Sequence, residues 1–346
     1  MTSTAPHVSY GPLTPPDIFE MMLAYKTTAL LATGIELGVF DCLADGETEA
    51  ATVAAKLGLD ERGSKLLLNA LGAIGLLESD GKSYRLGEGV DRHLVRGRPG
   101  YVGDMIRVMA SPWEWDALRR LPDAVRHGGT VMDEHAESPG YRYWEDFAAF
   151  AGAVARPTAE HAAGVLAGWA SARARLDVLD VACGHGLYGF TLAAHQPRAR
   201  VWSLDWPNVL PIARRHAMEL DVADRMSTIP GDMFEVALGG PYDVAYVTNV
   251  LHHFSEERAT ALLRRVGAAM EPDGKIVLVG FTSGEGPPAA DPAPHLFSIL
   301  MLVWTTGGEV HSVDAYQRML TASGFKNTTV HHVPSLPLRV IIAGKA

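Results

Sequence analysis

The chain has 346 residues, enough for two domains, and its apolar content of 47% is that of a globular protein. A formal net charge of −10 argues against a broad nucleic-acid footprint, which would be basic. Cys42 and Cys183 are the only cysteines, so we expect no disulfide framework and a reducing, cytoplasmic setting. We expect no signal peptide, and no apolar run reaches the roughly 18 residues of a membrane span.

The N-terminal part has the element pattern of a winged helix. Helical spacing runs from residue 18 to about 43, and two short helices are predicted near 49–56 and 61–74. A hairpin with an Asp-Gly turn follows at Asp80 and Gly81. We assign residues 17–100 to this mainly α unit.

A winged helix can bind DNA, or it can serve as a dimerisation or scaffold module. The helix that would enter the groove offers Arg62 and Lys65 and is otherwise apolar. A groove-reading helix needs several polar and basic side chains on its outer face. The sequence therefore favours dimerisation, and we expect no nucleic-acid partner.

Residues 101–170 are predicted to form a helical connector that contributes to a substrate pocket. Aromatic residues are spread along it, among them Trp144, Phe147 and Phe150. Most of them suit a helical core, and several suit the roof of a pocket above the domain that follows. The sequence alone does not separate these two roles.

From Leu176 onward, strands and helices alternate, which predicts a parallel, doubly wound sheet within residues 171–346. After a predicted helix at 313–322, two strands follow with a short link, so they must pair antiparallel. The predicted parallel strands are 177–181, 200–204, 226–229, 242–247 and 275–280.

Three acids come at the ends of neighbouring predicted strands: Asp180, Asp205 and Asp232. In an open α/β sheet the ligand lies in the crevice at the carboxyl ends of the strands. The glycines of a Gly-His-Gly turn at 184–186 let a ligand approach the backbone closely. An acid after the second strand suits ribose hydroxyls, and Met233 suits a purine face. We interpret the ligand as S-adenosylmethionine.

Together these residues resemble the two-domain class I S-adenosylmethionine-dependent O-methyltransferases of plant and bacterial small-molecule metabolism. The resemblance rests on the glycine loop, the DWPNV and GDMF segments at 205–209 and 231–234, LHHF at 251–254 and the GG segment at 307–308. It implies a Rossmann-like α/β methyltransferase domain with a C-terminal antiparallel hairpin, and a homodimer formed through the winged helix. The predicted cofactor residues are Asp180, Gly184, Gly186, Asp205, Trp206, Asp232, Met233, Phe234 and Thr248.

The same resemblance makes His252 the general base that takes a proton from the acceptor. Val310 stands where the family has a Glu that orients this base, and His253 stands where it has an Asp. The acceptor is expected to be a small aromatic or polyketide-like molecule that is methylated on oxygen. The predicted substrate pocket contains Trp144, Phe147, Phe150, His253, Met301, Trp304 and His311.

Several alternatives stay open at this stage. The lost orienting acid is compatible with C- or N-methylation of an already activated nucleophile, or with a non-methylating reaction that retains S-adenosylmethionine. A DNA-binding regulator is the least supported alternative. The adjacent histidine pairs at 252–253 and 331–332 do not make a chelate by themselves, so we predict no metal site, although a His-carboxylate site stays possible.

Overall fold

The computed structural model describes residues 12–46, 48–284, 286–334 and 336–346. The chain forms two compact units, which meet in the sequence at Pro112 and Trp113. The division into residues 17–100, 101–170 and 171–346 stays a prediction. In the structure, the residues from Trp113 onward form one compact unit. None of the helices in the described ranges combines the length and apolar character that a bilayer crossing requires.

The N-terminal unit contains helices and a small antiparallel sheet in the strand order β1-β3-β2. The predicted helix–turn–helix–hairpin pattern is confirmed, but the predicted helix over 18–43 breaks at Gly38, whose φ of 74° is left-handed. Its elements are α1 (Pro15–Glu36), α2 (Val39–Cys42), β1 (Thr48–Glu49), α3 (Ala50–Leu57), α4 (Glu61–Ala73), β2 (Leu77–Ser79), β3 (Ser83–Leu86), α5 (Val90–Leu94), a 3-10 turn (Gly103–Met105) and α6 (Ile106–Met109).

Local hydrogen bonds explain where these elements begin. Asp60 caps α4, since its Oδ1 accepts a hydrogen bond of 2.8 Å from the Gly63 amide. In the hairpin, Asp80 Oδ1 accepts from the amides of Lys82 and Ser83, both at 2.9 Å. The helices and the sheet enclose an apolar core that includes Phe40.

The second unit is a seven-stranded sheet with helices on both faces. Its helices are α7 (Pro112–Arg119), α8 (Leu121–His127), α9 (Tyr143–Phe150), α10 (Gly152–Ser171), α11 (Leu187–His195), α12 (Leu210–Glu219), α13 (Glu256–Ala268), α14 (Pro292–Trp304) and α15 (Val313–Ala322), with 3-10 turns at Ala223–Arg225, Leu251–His253 and Pro288–Ala290. Its strands are β4 (Leu176–Val181), β5 (Ala199–Asp205), β6 (Met226–Pro230), β7 (Tyr242–Thr248), β8 (Met270–Gly280), β9 (Phe325–His332) and β10 (Arg339–Lys345).

The strand order is β6-β5-β4-β7-β8-β10-β9. The strands β4 to β8 pair in parallel, whereas β10 pairs antiparallel with both β8 and β9, which confirms the predicted parallel sheet with a C-terminal hairpin. Every residue of β4 and β7 is buried, including the aspartates that interrupt their apolar residues, as expected for central strands of a parallel sheet that is covered on both faces. The strand order reverses between β4 and β7, so a ligand crevice is expected at their carboxyl ends.

Candidate active site

A pocket of about 860 Å³, including its mouth, lies at the carboxyl ends of β4, β5 and β7. The structure brings most of the predicted site residues together there. The predicted residues that line it are Trp144, Phe147, Gly184, Asp205, Trp206, Asp232, Met233, Phe234, Thr248 and His253.

Other predicted residues lie outside this lining. Asp180 is completely buried in β4, where its Oδ2 accepts a hydrogen bond of 3.1 Å from the Gly189 amide. Gly186 is left-handed, and a Cβ at this position would collide with the Phe190 ring, so the glycine serves helix packing. The remaining predicted residues outside the lining are Phe150, His252, Met301, Trp304 and His311.

The loop between β4 and α11 forms the floor of the pocket. Gly184 has a φ of 54°, and apart from its chain neighbours no atom of the described residues stands within 4 Å of where its Cβ would be, so the pocket is open beside it. Ala182 also adopts a left-handed conformation, at a φ of 51°, which is strained for a residue with a side chain. The amide of Gly184 donates a hydrogen bond of 2.7 Å to Asp205 Oδ2. This bond ties the loop to the end of β5.

Asp205 is 8% exposed and is held by two backbone amides. Besides the Gly184 bond, its Oδ1 accepts from the Trp206 amide at 2.7 Å. Burial raises the pKa of Asp205 to about 6, although both hydrogen bonds oppose the rise. At pH 7 the group is therefore a fixed carboxylate whose remaining lone pairs can accept from ligand hydroxyls.

The far side of the pocket is built around the turn at Asp232. Asp232 Oδ1 accepts a hydrogen bond of 2.8 Å from the Phe234 amide. The Arg258 guanidinium stands over the Phe234 ring, 4.6 Å from its centroid, and forms an ion pair of 3.1 Å with Glu137. The carboxylates of Asp205, Asp232 and Glu137 outnumber this one guanidinium in the lining, which suits a nucleoside that carries a cation better than a polyphosphate.

Two adjacent histidines follow β7 in the 3-10 turn Leu251–His253. Their rings are perpendicular, with centroids 4.7 Å apart, so they face different surroundings. His253 lines the pocket beside Trp144, at a ring distance of 5.2 Å. His252 is buried with its ring edge-on to Phe297 at 4.9 Å, and its Nδ1 has no partner in the part of the chain that the structure describes.

Burial sets the protonation of both rings. It lowers the pKa of His252 well below its usual value, with further lowering by His253 and His311, and it lowers the pKa of His253 to about 4. Both imidazoles are therefore neutral at pH 7. A neutral imidazole can accept a proton from a ligand.

The segment after α14 holds this turn in place. His311 Nε2 donates a hydrogen bond of 3.0 Å to the Phe254 carbonyl. The side chain of Val310 is buried and apolar, so this position offers His252 no carboxylate. The backbone amide of Val310 donates a hydrogen bond of 3.1 Å to Ser298 Oγ. Trp304 packs edge-on against Tyr143, with centroids 4.5 Å apart, and buried Met301 lies on the same helix.

Sequence reasoning missed five polar residues of the lining: Glu137, His185, Tyr188, Asn249 and Arg258. His185 lies inside the glycine turn that was singled out only for its glycines. Asn249 follows β7 directly in a left-handed conformation, at a φ of 52°, and a polar residue at a strand end is a usable signal. Glu137 lies in a segment without a recognisable motif, so nothing in the sequence indicated it.

Comparison with known proteins gives a consistent result. The family model of the O-methyltransferase domain matches residues 161–326, and that of the O-methyltransferase dimerisation domain matches residues 19–95. Acetylserotonin O-methyltransferase of Bos taurus is 30% identical over 89% of this chain and 91% of its own length. The tetracenomycin polyketide synthesis 8-O-methyl transferase of Streptomyces glaucescens is 29% identical over 76% of this chain and 78% of its own.

Solved structures show the same architecture. A crystal structure of a protein from Nostoc punctiforme PCC 73102 has a TM-score of 0.88 and 31% identity, and the match covers 96% of this chain and 100% of that one. Human N-acetylserotonin methyltransferase in complex with S-adenosylmethionine has a TM-score of 0.81 at 22% identity, over 98% of this chain and 99% of that one. At 22% identity, the similarity to the human protein shows that the two share a fold.

Proposed function

Because this chain belongs to the O-methyltransferase family, whose members use S-adenosylmethionine, we propose that it methylates a phenolic oxygen of a small aromatic or polyketide-like acceptor. Relatives named for a tetracenomycin polyketide and for acetylserotonin support this acceptor class. When bound, the cofactor supplies a methyl group on a positively charged sulfur. The observation that carries the proposal is the acidic pocket at the carboxyl ends of β4, β5 and β7, together with the two neutral histidines of the turn after β7, of which His253 lines the pocket.

We assign cofactor binding to the pocket residues on β5 and the turn after β6. Asp205 accepts hydrogen bonds from the ribose hydroxyls, and Asp232 accepts from the adenine amino group. Met233 lies against the purine face, and the glycine at 184 leaves room for the ligand. Trp206, Phe234 and Thr248 complete this side of the lining.

We assign acceptor binding to the aromatic side of the pocket. Trp144, Phe147 and His253 form the wall that an aromatic acceptor would contact. We propose that Phe150, Met301, Trp304 and His311 support that wall from outside the lining. In this proposal the wall orients the reacting oxygen, and orientation can supply effective molarities of about 10⁵ M or more.

We propose that His252 is the general base. Its Nδ1 is enclosed, so the other nitrogen, Nε2, takes the phenolic proton. The buried Nδ1–H then has no acceptor, and this disfavours the imidazolium. A base of lowered pKa works best on an acidic hydroxyl, such as a phenol conjugated to a carbonyl group.

The activity test incubates the purified enzyme with S-adenosylmethionine and a series of phenols of graded acidity. We expect one S-adenosylhomocysteine for each O-methylated product, with faster turnover of the more acidic phenols. Mass spectrometry with fragmentation locates the methyl group. A methyl group on carbon or nitrogen, or a product formed without S-adenosylhomocysteine, would contradict the proposal.

The base assignment is tested with His252→Ala, and His253→Ala is the matched neighbour. We expect His252→Ala to lower kcat by about 100-fold or more, because general-base catalysis contributes about this much. Its cofactor Kd should stay near that of the wild type. His253→Ala should instead raise the Kd of the cofactor or the KM of the acceptor, since His253 lines the pocket. Near-normal turnover of His252→Ala would exclude it as the base.

The chain carries a dimerisation domain, and we propose that the enzyme is a cytoplasmic homodimer. The large apolar side chains exposed on α1 support the dimer, since a monomer would leave them in water. The acidic net charge and the absence of a basic recognition helix support a small-molecule partner over a nucleic acid.

A further inference from the structure

The amides of the glycine loop are already engaged by the protein. Gly184 donates to Asp205, and the Gly186 amide donates to the Cys183 carbonyl, each at 2.7 Å. The Leu187 amide donates to His185 Nδ1 at 3.1 Å. Glycine loops at helix N-termini usually bind anionic groups through free amides. In this loop, the amides of Gly184, Gly186 and Leu187 are bonded to acceptors of the protein itself.

The Leu187 bond fixes the proton of His185. A backbone N–H can only donate, so Nδ1 must be the unprotonated acceptor and the ring proton must reside on Nε2. Burial, helped by His216 and Arg156, lowers the pKa of His185 to about 3, so the ring stays neutral at pH 7. His185 is thus a neutral hydrogen-bond donor of defined tautomer.

The ring is also fixed in place and lines the pocket. It stacks on Phe147 with centroids 6.3 Å apart and an interplanar angle of 20°, and it contacts Tyr188 at 5.9 Å. Its Nε2 has no acceptor within the described ranges of the chain. A donor held this rigidly loses little conformational entropy when a ligand accepts its hydrogen bond.

The charges of the pocket indicate which ligand group this donor would meet. Asp205, Asp232 and Glu137 repel an anionic group, and the Arg258 guanidinium is paired with Glu137. S-Adenosylmethionine nevertheless carries one carboxylate on its amino-acid tail. That carboxylate requires a hydrogen-bond donor, and a neutral donor supplies one without adding positive charge near the sulfonium.

We propose that His185 Nε2–H donates a hydrogen bond to the amino-acid carboxylate of bound S-adenosylmethionine and so selects cofactors that carry this carboxylate. The inference rests on the proposed placement of the cofactor in this pocket. It makes the residue between the two glycines of the turn a determinant of specificity.

The test compares S-adenosylmethionine with its decarboxylated analogue by calorimetric titration. The wild-type enzyme should bind the carboxylated ligand about 10- to 100-fold more tightly, the range expected for a hydrogen bond to a charged group. His185→Asn keeps an oxygen that can accept from the Leu187 amide, but it lacks the Nε2–H donor. It should lose most of this preference, with the Kd of the decarboxylated ligand changed less than threefold. His195→Asn, at the exposed C-terminal end of α11, is the control and should behave as the wild type.

Equal wild-type affinity for the two ligands would overturn the inference without any variant. So would a His185→Asn variant that weakens both ligands equally, because the loop and not the carboxylate contact would then be responsible. If the wild type binds neither ligand, the proposed function itself fails. These outcomes are distinct from one another.

Discussion

At the scale of single residues, two acids with the same sequence context have different surroundings. Asp180 and Asp205 each stand at the end of a predicted strand, yet the parallel register pairs Asp180 with Ser203. Asp205 therefore extends two residues further toward the carboxyl edge, about 6–7 Å. This offset places Asp205 in the pocket lining and leaves Asp180 beneath it. Residue spacing alone does not reveal such an offset, because it depends on strand register.

Asp180 gives a pH prediction with a definite sign. Burial raises its pKa to about 8, so the folded state binds a proton that the unfolded state releases near pH 4. Stability contributed by this group therefore falls by about 1.4 kcal/mol for each pH unit between those values. Asp180→Asn keeps an oxygen for the Gly189 amide and cannot ionise.

We expect the melting temperature of Asp180→Asn to exceed that of the wild type by an amount that grows from pH 5 to pH 8. Thermal melts across this range measure the difference. A difference that stays constant with pH, or that shrinks toward pH 8, would show that Asp180 is ionised in the folded protein at neutral pH.

At the scale of elements, the turn Leu251–His253 packs closely against the segment after α14, which fixes its backbone. A Cβ on Gly308 would collide with the His252 carbonyl oxygen and would stand 2.6 Å from Thr305 Oγ1. A Cβ on Gly307 would meet only Ser255 Cβ, at 3.8 Å, an ordinary contact. Alanine substitutions at these two neighbouring glycines therefore make a matched pair of variants, one with a backbone clash and one without.

We expect Gly308→Ala to lower the free energy of unfolding by about 1–3 kcal/mol, the usual cost of overpacking. Because the clash is with the backbone of His252, turnover should fall as well. Gly307→Ala should be close to the wild type in both respects. Denaturant titration and steady-state kinetics measure these effects. Equal behaviour of the two variants would mean that this contact does not hold the turn.

The elements also show how far the sequence could predict the molecule. The parallel strands were predictable because short, largely apolar segments alternate with helical ones, and the hairpin because a short link allows only antiparallel pairing. The direction of each histidine was not predictable. A 3-10 turn rotates successive side chains through about a third of a circle, so His253 enters the pocket lining and His252 does not.

At the scale of the whole molecule, the exposed surface of α1 carries the proposal of a homodimer. Phe19 and Met22 are each 62% exposed, and further apolar side chains on the same helix are also in contact with solvent. Such a patch on a soluble protein indicates an interface. The large apolar residues exposed on or beside this helix are Leu13, Ile18, Phe19, Met21, Met22, Leu23 and Tyr25.

We expect the double variant Phe19→Glu/Met22→Glu to be a monomer, because an interface would have to bury both charges. Val125→Glu, which replaces a 61% exposed side chain of the second unit, is the control and should remain dimeric. Size-exclusion chromatography with light scattering gives the mass of each. A double variant with the mass of a dimer would place the interface elsewhere.

We propose that the pocket at the carboxyl ends of β4, β5 and β7 binds S-adenosylmethionine through Asp205. The most direct measurement is calorimetric titration of the wild type, Asp205→Asn and the exposed control Asp224→Asn with this ligand. We expect micromolar or tighter binding by the wild type and the control, and binding at least about 10-fold weaker by Asp205→Asn, since hydrogen bonds to a charged acceptor are lost. Equal binding by all three proteins would show that Asp205 does not hold the cofactor, and no binding by the wild type would show that the pocket does not bind it.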